Sequence, residues 1–89
     1  MAKVNFTPNL ERHLGVRSVE VQATTLRQAF DAAFAQVQGA RSYVLDDQGA
    51  VRHHVAVFVD GVLVHDRTQL AYPLEPSSEI WIMQALSGG

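Results

Sequence analysis

The chain has 89 residues, of which 47% are hydrophobic and 18% charged, and its seven basic residues face nine carboxylates for a formal charge of -2. A chain this short hides only about 60–65% of its unfolded surface, which limits it to one core, and its balance of residue types is that of a globular domain. The lack of cysteine removes disulfides, thiolate metal sites, iron–sulfur clusters and a catalytic thiol. The arginines are scattered along the sequence, which argues against nucleic-acid binding, and no run approaches the roughly 18 apolar residues of a spanning helix, so no membrane partner and a cytoplasmic location are expected.

Residues 3–7 and 17–22 alternate apolar with polar, Val4 and Phe6 in the first and Val19 and Val21 in the second, and predict two half-buried strands. Pro8 to Gly15 between them reads as a loop or wide hairpin whose Leu10 and Leu14 fold back onto the core. Thr25-Leu26-Arg27-Gln28 fits a capping box. Leu26, Ala29, Phe30, Ala33, Phe34 and Val37 then fall on one stripe of a helix over 26–38, with Gly39 as a left-handed cap. Residues 40–53 hold a turn signal at Asp46-Asp47-Gln48-Gly49 and predict a small hairpin or ordered loop.

Asp60-Gly61 between Val55-Ala56-Val57-Phe58-Val59 and Val62-Leu63-Val64 predicts a tight hairpin. Pro73 and Pro76 keep residues 68–78 out of a central strand or long helix, and a last strand is expected over 79–86, running into Ser87-Gly88-Gly89. The order implies an α+β domain over residues 1–86, one helix across one face of a mixed four- to five-stranded sheet, followed by a tail at 87–89.

Alternation assigns the faces of the later strands. If Val55, Val57, Val59, Ile80 and Ile82 point toward the helix, then Ala56, Phe58, Trp81 and Met83 point away. An apolar outer face of this kind marks an interaction site, and Phe58, Trp81 and Met83 are its candidate residues. The competing expectation is that Tyr43 or the 62–72 segment folds over them to make a second small core. His53, His54 and His65 do not predict a metal site, because adjacent strand histidines point to opposite faces and no carboxylate stands at ligand spacing. Asp46 and Asp47 beside Gln48-Gly49 are turn formers rather than paired catalytic acids. Arg12, Arg41, Arg52 and Arg67 read as solvated charge, with contact to an acidic partner as the alternative. No nucleophile, base and orienting group stand out together, so no catalytic residue is assigned and the chain is not expected to be an enzyme.

Three stretches carry a resemblance: the segment from Pro8 to Gly15, the block from Leu45 to Gly61, and the closing strand with its Gly88-Gly89 end. In this order the chain resembles the MoaD/ThiS family of ubiquitin-like sulfur carriers, over nearly its whole length. It departs from that pattern at residues 72–79, which lack a Gly-Asp turn, and at Gln84-Ala85-Leu86-Ser87, where small apolar residues are common. The resemblance implies a β-grasp fold. It also implies an adenylating activating enzyme that uses ATP to convert the Gly89 carboxylate into an acyl-adenylate, a sulfur donor whose sulfur displaces AMP to leave a thiocarboxylate, and a synthase that accepts the sulfur. The pathways implied are those of molybdopterin, thiamine or cysteine synthesis. Ser87 and Gly88 would form the slender tail, since glycine passes through a narrow channel where side chains clash. No cofactor is expected on this chain. Proteins with this fold commonly dock through the outer face next to the tail. Two other roles remain open: a covalent modifier joined through Gly89 to lysines of other proteins, and a non-covalent adaptor with an inert tail. Lys3 is the only lysine, which restricts self-chain building.

Overall fold

Two threonines and a glutamine decide where the main helix starts. Thr25 is extended and its hydroxyl accepts the Gln28 N–H, while the Gln28 side chain reaches back to the Thr24 N–H at 2.9 Å, so the sequence's capping box forms one residue wider than the strict pattern. The two remaining amides of the first turn are also satisfied. Leu26 donates to the Tyr72 carbonyl and Arg27 to that of Leu70, so the loop before the last strand finishes the helix cap.

The computed structural model describes residues 1–84; Ala85 and Leu86, expected to close the last strand, and the Ser87-Gly88-Gly89 tail lie outside the described residues. The elements are β1 (Ala2–Phe6), α1 (Pro8–Leu14), β2 (Ser18–Val21), α2 (Leu26–Gln36), α3 (Ala40–Val44), β3 (Val55–Val59), β4 (Val62–Leu63) and β5 (Glu79–Gln84). They build a five-stranded sheet in the order β2-β1-β5-β3-β4, in which β1 and β5 run parallel and every other pair is antiparallel. The α+β architecture expected from the element order is present.

The helical stripe packs as its spacing dictates. Leu26, Ala29, Phe30, Ala33 and Phe34 are buried, with the Phe30 and Phe34 rings stacked at 5.1 Å, and they meet the inward residues Val4, Phe6, Val55, Val57, Ile80 and Ile82. Burying one such side chain stabilises the fold by about 1.5–3 kcal/mol. Among the described residues no helix is long and apolar enough to cross a membrane.

Three expectations are corrected. Residues 8–14 are a short helix rather than a loop or wide hairpin. Pro8 sits in its first turn, where its missing N–H costs nothing, and Gly15 closes it in the left-handed region at φ +76. Its Leu10 is buried and Leu14 packs at the edge of the core, as expected. Residues 40–44 are helical as well. Gly39, at φ +88, opens α3 instead of capping α2, which ends at Gln36 with Val37 as its C-cap, two residues short of the expected 38. The Asp46–Gly49 turn survives as a tight loop closed by a single bridge between Leu45 and Val51.

Candidate functional site

β5 lies in the middle of the sheet, between β1 and β3, so the chain's last described strand is held on both sides up to Gln84, which pairs with Val55. Parallel pairing with β1 brings α1 to the same end. Thr7 donates its N–H to the Ile82 carbonyl, and the Asn9 side-chain amide donates to Gln84 Oε1. The root of the tail is therefore fixed to the body by backbone and side chain. Ser87, Gly88 and Gly89, the expected tail and reactive end, lie outside the described residues.

The two faces of the sheet divide as alternation predicts. Val55, Val57, Val59, Ile80 and Ile82 are buried under α2, while Phe58 and Met83 are half-buried on the other side and Trp81 is 40% exposed. Register places Phe58 directly opposite Trp81 and Ala56 opposite Met83, and continues the row to Leu63 on β4, itself 38% exposed. On β1 the neighbour of Trp81 is Asn5, whose buried side-chain amide donates to the Ile80 carbonyl at 3.1 Å and to Glu79 Oε1 at 3.2 Å. Of the segments expected as covers, residues 62–63 form β4, which lies beside Phe58 in the sheet. Tyr43 packs between the rings of His13, at 5.5 Å, and His54, at 6.2 Å, and Val64 and Leu70 turn into the main core.

The other polar candidates have local duties. Asp46 Oδ1 accepts the Gln48 and Ala50 N–H groups, and these bonds, that from Ala50 foremost, hold its carboxyl below the usual value. Arg41 pairs with Asp31 at 3.2 Å and lies over the Phe34 ring. The Arg52 side chain donates to the Ser42 carbonyl. His53 and His54 stand nearly perpendicular with ring centres 6.1 Å apart, and among the described residues no group of three or more histidines and carboxylates converges to hold a metal.

Two loop residues have duties that only three dimensions show, and Arg67, expected as solvated charge, is half-buried. Asp66 accepts from Thr68, Gln69 and Ala71, and its carboxyl is lowered chiefly by the bond from Ala71. Arg67 donates to the carbonyls of Arg52 and Val55, clamping the turn that leads into β3. Neither has a sequence signal beyond being polar, because their partners are backbone groups of loops. Among the hollows that indent the surface of the described residues, one of about 260 Å³ is bordered by Met1, Gln22, Thr24 and Leu74, and another of about 380 Å³ by Arg41, Ser42, Asp46, Asp47 and Arg52. The first lies at the end of the sheet away from Gln84, where Ala2 pairs with Val21.

No protein-family model matches the chain, and no curated protein matches it. Solved structures do. SAMP1 from Haloferax volcanii superposes with a TM-score of 0.82 at 23% identity, over 99% of this chain and 98% of that one. A chain of the BexX/CysO complex from Amycolatopsis orientalis gives 0.84 at 20% identity, over 100% of both. CysO from Mycobacterium tuberculosis gives 0.83 at 21% identity, over 97% of this chain and 100% of that one. The long helix α2 against one face, the central β1–β5 parallel pair and the full-length superpositions together show the ubiquitin-like β-grasp fold.

Proposed function

We propose that this protein is a sulfur carrier whose Gly89 carboxylate is the reactive group. The observation that carries the reading is the position of β5: Gln84, the last described residue of the sheet's central strand, lies at one extremity of the body and beside an exposed apolar face, five residues before Gly89. Five residues drawn out reach at most about 17–18 Å, enough to carry a carboxylate from the body into another protein's cleft.

In this reading an ATP-dependent activating enzyme attaches AMP to the Gly89 carboxylate and releases pyrophosphate. Hydrosulfide released by a sulfur donor then attacks the activated carbonyl, the bond from that carbonyl to AMP breaks, AMP leaves, and a thiocarboxylate remains for a synthase to consume. The chain contributes no catalytic group. It presents the end, and Phe58, Trp81 and Met83 provide the surface on which a partner grips the body. The structure of CysO in complex with BexX supports docking by a body of this shape.

The test is ATP–pyrophosphate exchange by the host's activating enzyme. Exchange should depend on the intact chain and vanish when Gly88-Gly89 is removed. A chain without Gly89 that still delivers sulfur contradicts the proposal. The second reading, a covalent modifier, is favoured by the likeness to SAMP1, the small archaeal modifier protein 1. It predicts isopeptide remnants of the Gly89 end on lysines of other proteins.

A further inference from the structure

The parallel ladder between β1 and β5 advances two residues at a time, and its last rungs fall where the tail begins. Lys3 donates its N–H to the Ser78 carbonyl and Thr7 to that of Ile82, so the next donor in step is the Asn9 N–H and the next acceptor the Gln84 carbonyl. The chain turns aside before that rung. Pro8 starts α1, and the Thr7 carbonyl, which a longer ladder would offer to Gln84, accepts the Glu11 N–H as the helix's first bond. Asn9 stands in the first turn of α1, and its side-chain amide donates to Gln84 Oε1. A side-chain bond thus occupies the place of the next backbone rung.

The element that carries Asn9 is well anchored. Pro8 fits its first turn, Gly15 closes it by donating to the Glu11 carbonyl at 2.7 Å, and Leu10, next to Asn9, is fully buried. On the other side of β5, Gln84 pairs with Val55. Asn9 and Gln84 are themselves exposed and neither belongs to the core, so their bond adds little to stability. What it constrains is the residue from which Gly89 is carried, five positions further on.

We propose that Asn9 is a positioning residue for the activation of Gly89, holding Gln84 so that the carboxylate is delivered from one fixed point of the body. The proposal rests on the proposed use of Gly89 and separates two tasks of that site. The face of Phe58, Trp81 and Met83 governs whether a partner binds, and the Asn9–Gln84 latch governs how often a bound chain has its carboxylate in line with the reacting phosphate. With Gln84 released, the carboxylate swings on six residues from Met83 instead of five from Gln84, and its effective concentration at a fixed reaction centre falls. One hydrogen bond between exposed side chains limits the effect to about two- to fivefold.

The test follows ATP–pyrophosphate exchange by the host's activating enzyme over a range of carrier concentrations, for wild type, Asn9→Ala, Gln84→Ala, the double variant and Asn9→Asp. Alanine is a good helix former and leaves α1 in place, so the melting temperature of Asn9→Ala should stay close to the parent's. Its kcat should fall about two- to fivefold while KM stays within about twofold, the docking face being untouched. Gln84→Ala should lose as much, and the double variant no more than either single one, because both remove the same bond. Asn9→Asp supplies the rescue: a carboxylate accepts from the Gln84 side-chain amide once that amide turns over, so kcat should return to near the wild-type value. A wild-type kcat in Asn9→Ala, a loss in Asn9→Asp as large as that in Asn9→Ala, or losses that multiply in the double variant overturn the positioning role and leave the carrier function standing. A wild-type chain that the enzyme never activates removes the carrier reading and the positioning role together.

Discussion

Trp81 and Phe58 stand directly opposite each other across the β3–β5 ladder, on the face of the sheet that α2 does not cover. A cross-strand aromatic pair contributes about 0.2–1 kcal/mol to a sheet, whereas a buried aromatic at the centre of an interface is commonly worth about 2 kcal/mol or more. Trp81→Ala should therefore lower the melting temperature slightly and weaken partner binding about 30-fold or more. Calorimetric titration of the partner against both proteins checks this. Unchanged affinity would remove Trp81 from the docking surface.

Phe30 is fully buried at the centre of the α2 stripe and stacked on Phe34. Phe30→Ala deletes a ring from a close-packed core and should cost about 3–5 kcal/mol, a large part of the stability of a domain this size. Urea denaturation should show a midpoint far below the parent's, or no folded baseline at all.

Leu70 combines full burial with a left-handed backbone at φ +55. Two effects oppose each other on substitution: loss of the leucine costs about 2–5 kcal/mol, and a glycine relieves about 1–2 kcal/mol of left-handed strain. The first is larger, so Leu70→Gly should be less stable than wild type. It should nonetheless be more stable than Leu70→Ala, which loses the side chain and keeps the strain. The reverse order in a denaturation series would show that this backbone relaxes freely.

Asp66 is held below its ordinary value of 3.8 by the N–H groups it accepts, Ala71 first. Because the folded value is depressed, its contribution is fully present above the unfolded value and is lost as pH falls through the folded one. Asp66→Ala should lower the melting temperature at neutral pH, and the gap to wild type should narrow as pH drops below 3.8. A gap independent of pH would mean that the loop does not depend on the carboxylate's charge.

The elements that the sequence spells out are those with a repeating signal or a stereochemical one. The α2 stripe, the Asp60-Gly61 turn, whose residues take φ of 50 and 84, and the in-out alternation of β3 and β5 are all legible in the order of residues alone. The helices α1 and α3 are not. With seven and five residues they are too short for a periodicity to build up, and their helical state depends on packing, Leu10 and Val44 being buried by the rest of the fold. The outer-face trio follows from alternation alone. The duties of Asp66 and Arg67 do not, because each is bonded to backbone groups, which no side-chain pattern advertises.

The claim on which all else depends is that the carboxyl end of this chain is chemically activated. Intact-mass spectrometry of the protein after incubation with ATP, a sulfur source and the host's activating enzyme tests it most directly. One oxygen exchanged for sulfur, mapped by fragmentation to Gly89, is the predicted result. A mass that stays unchanged, while the same enzyme activates another carrier in parallel, would contradict it.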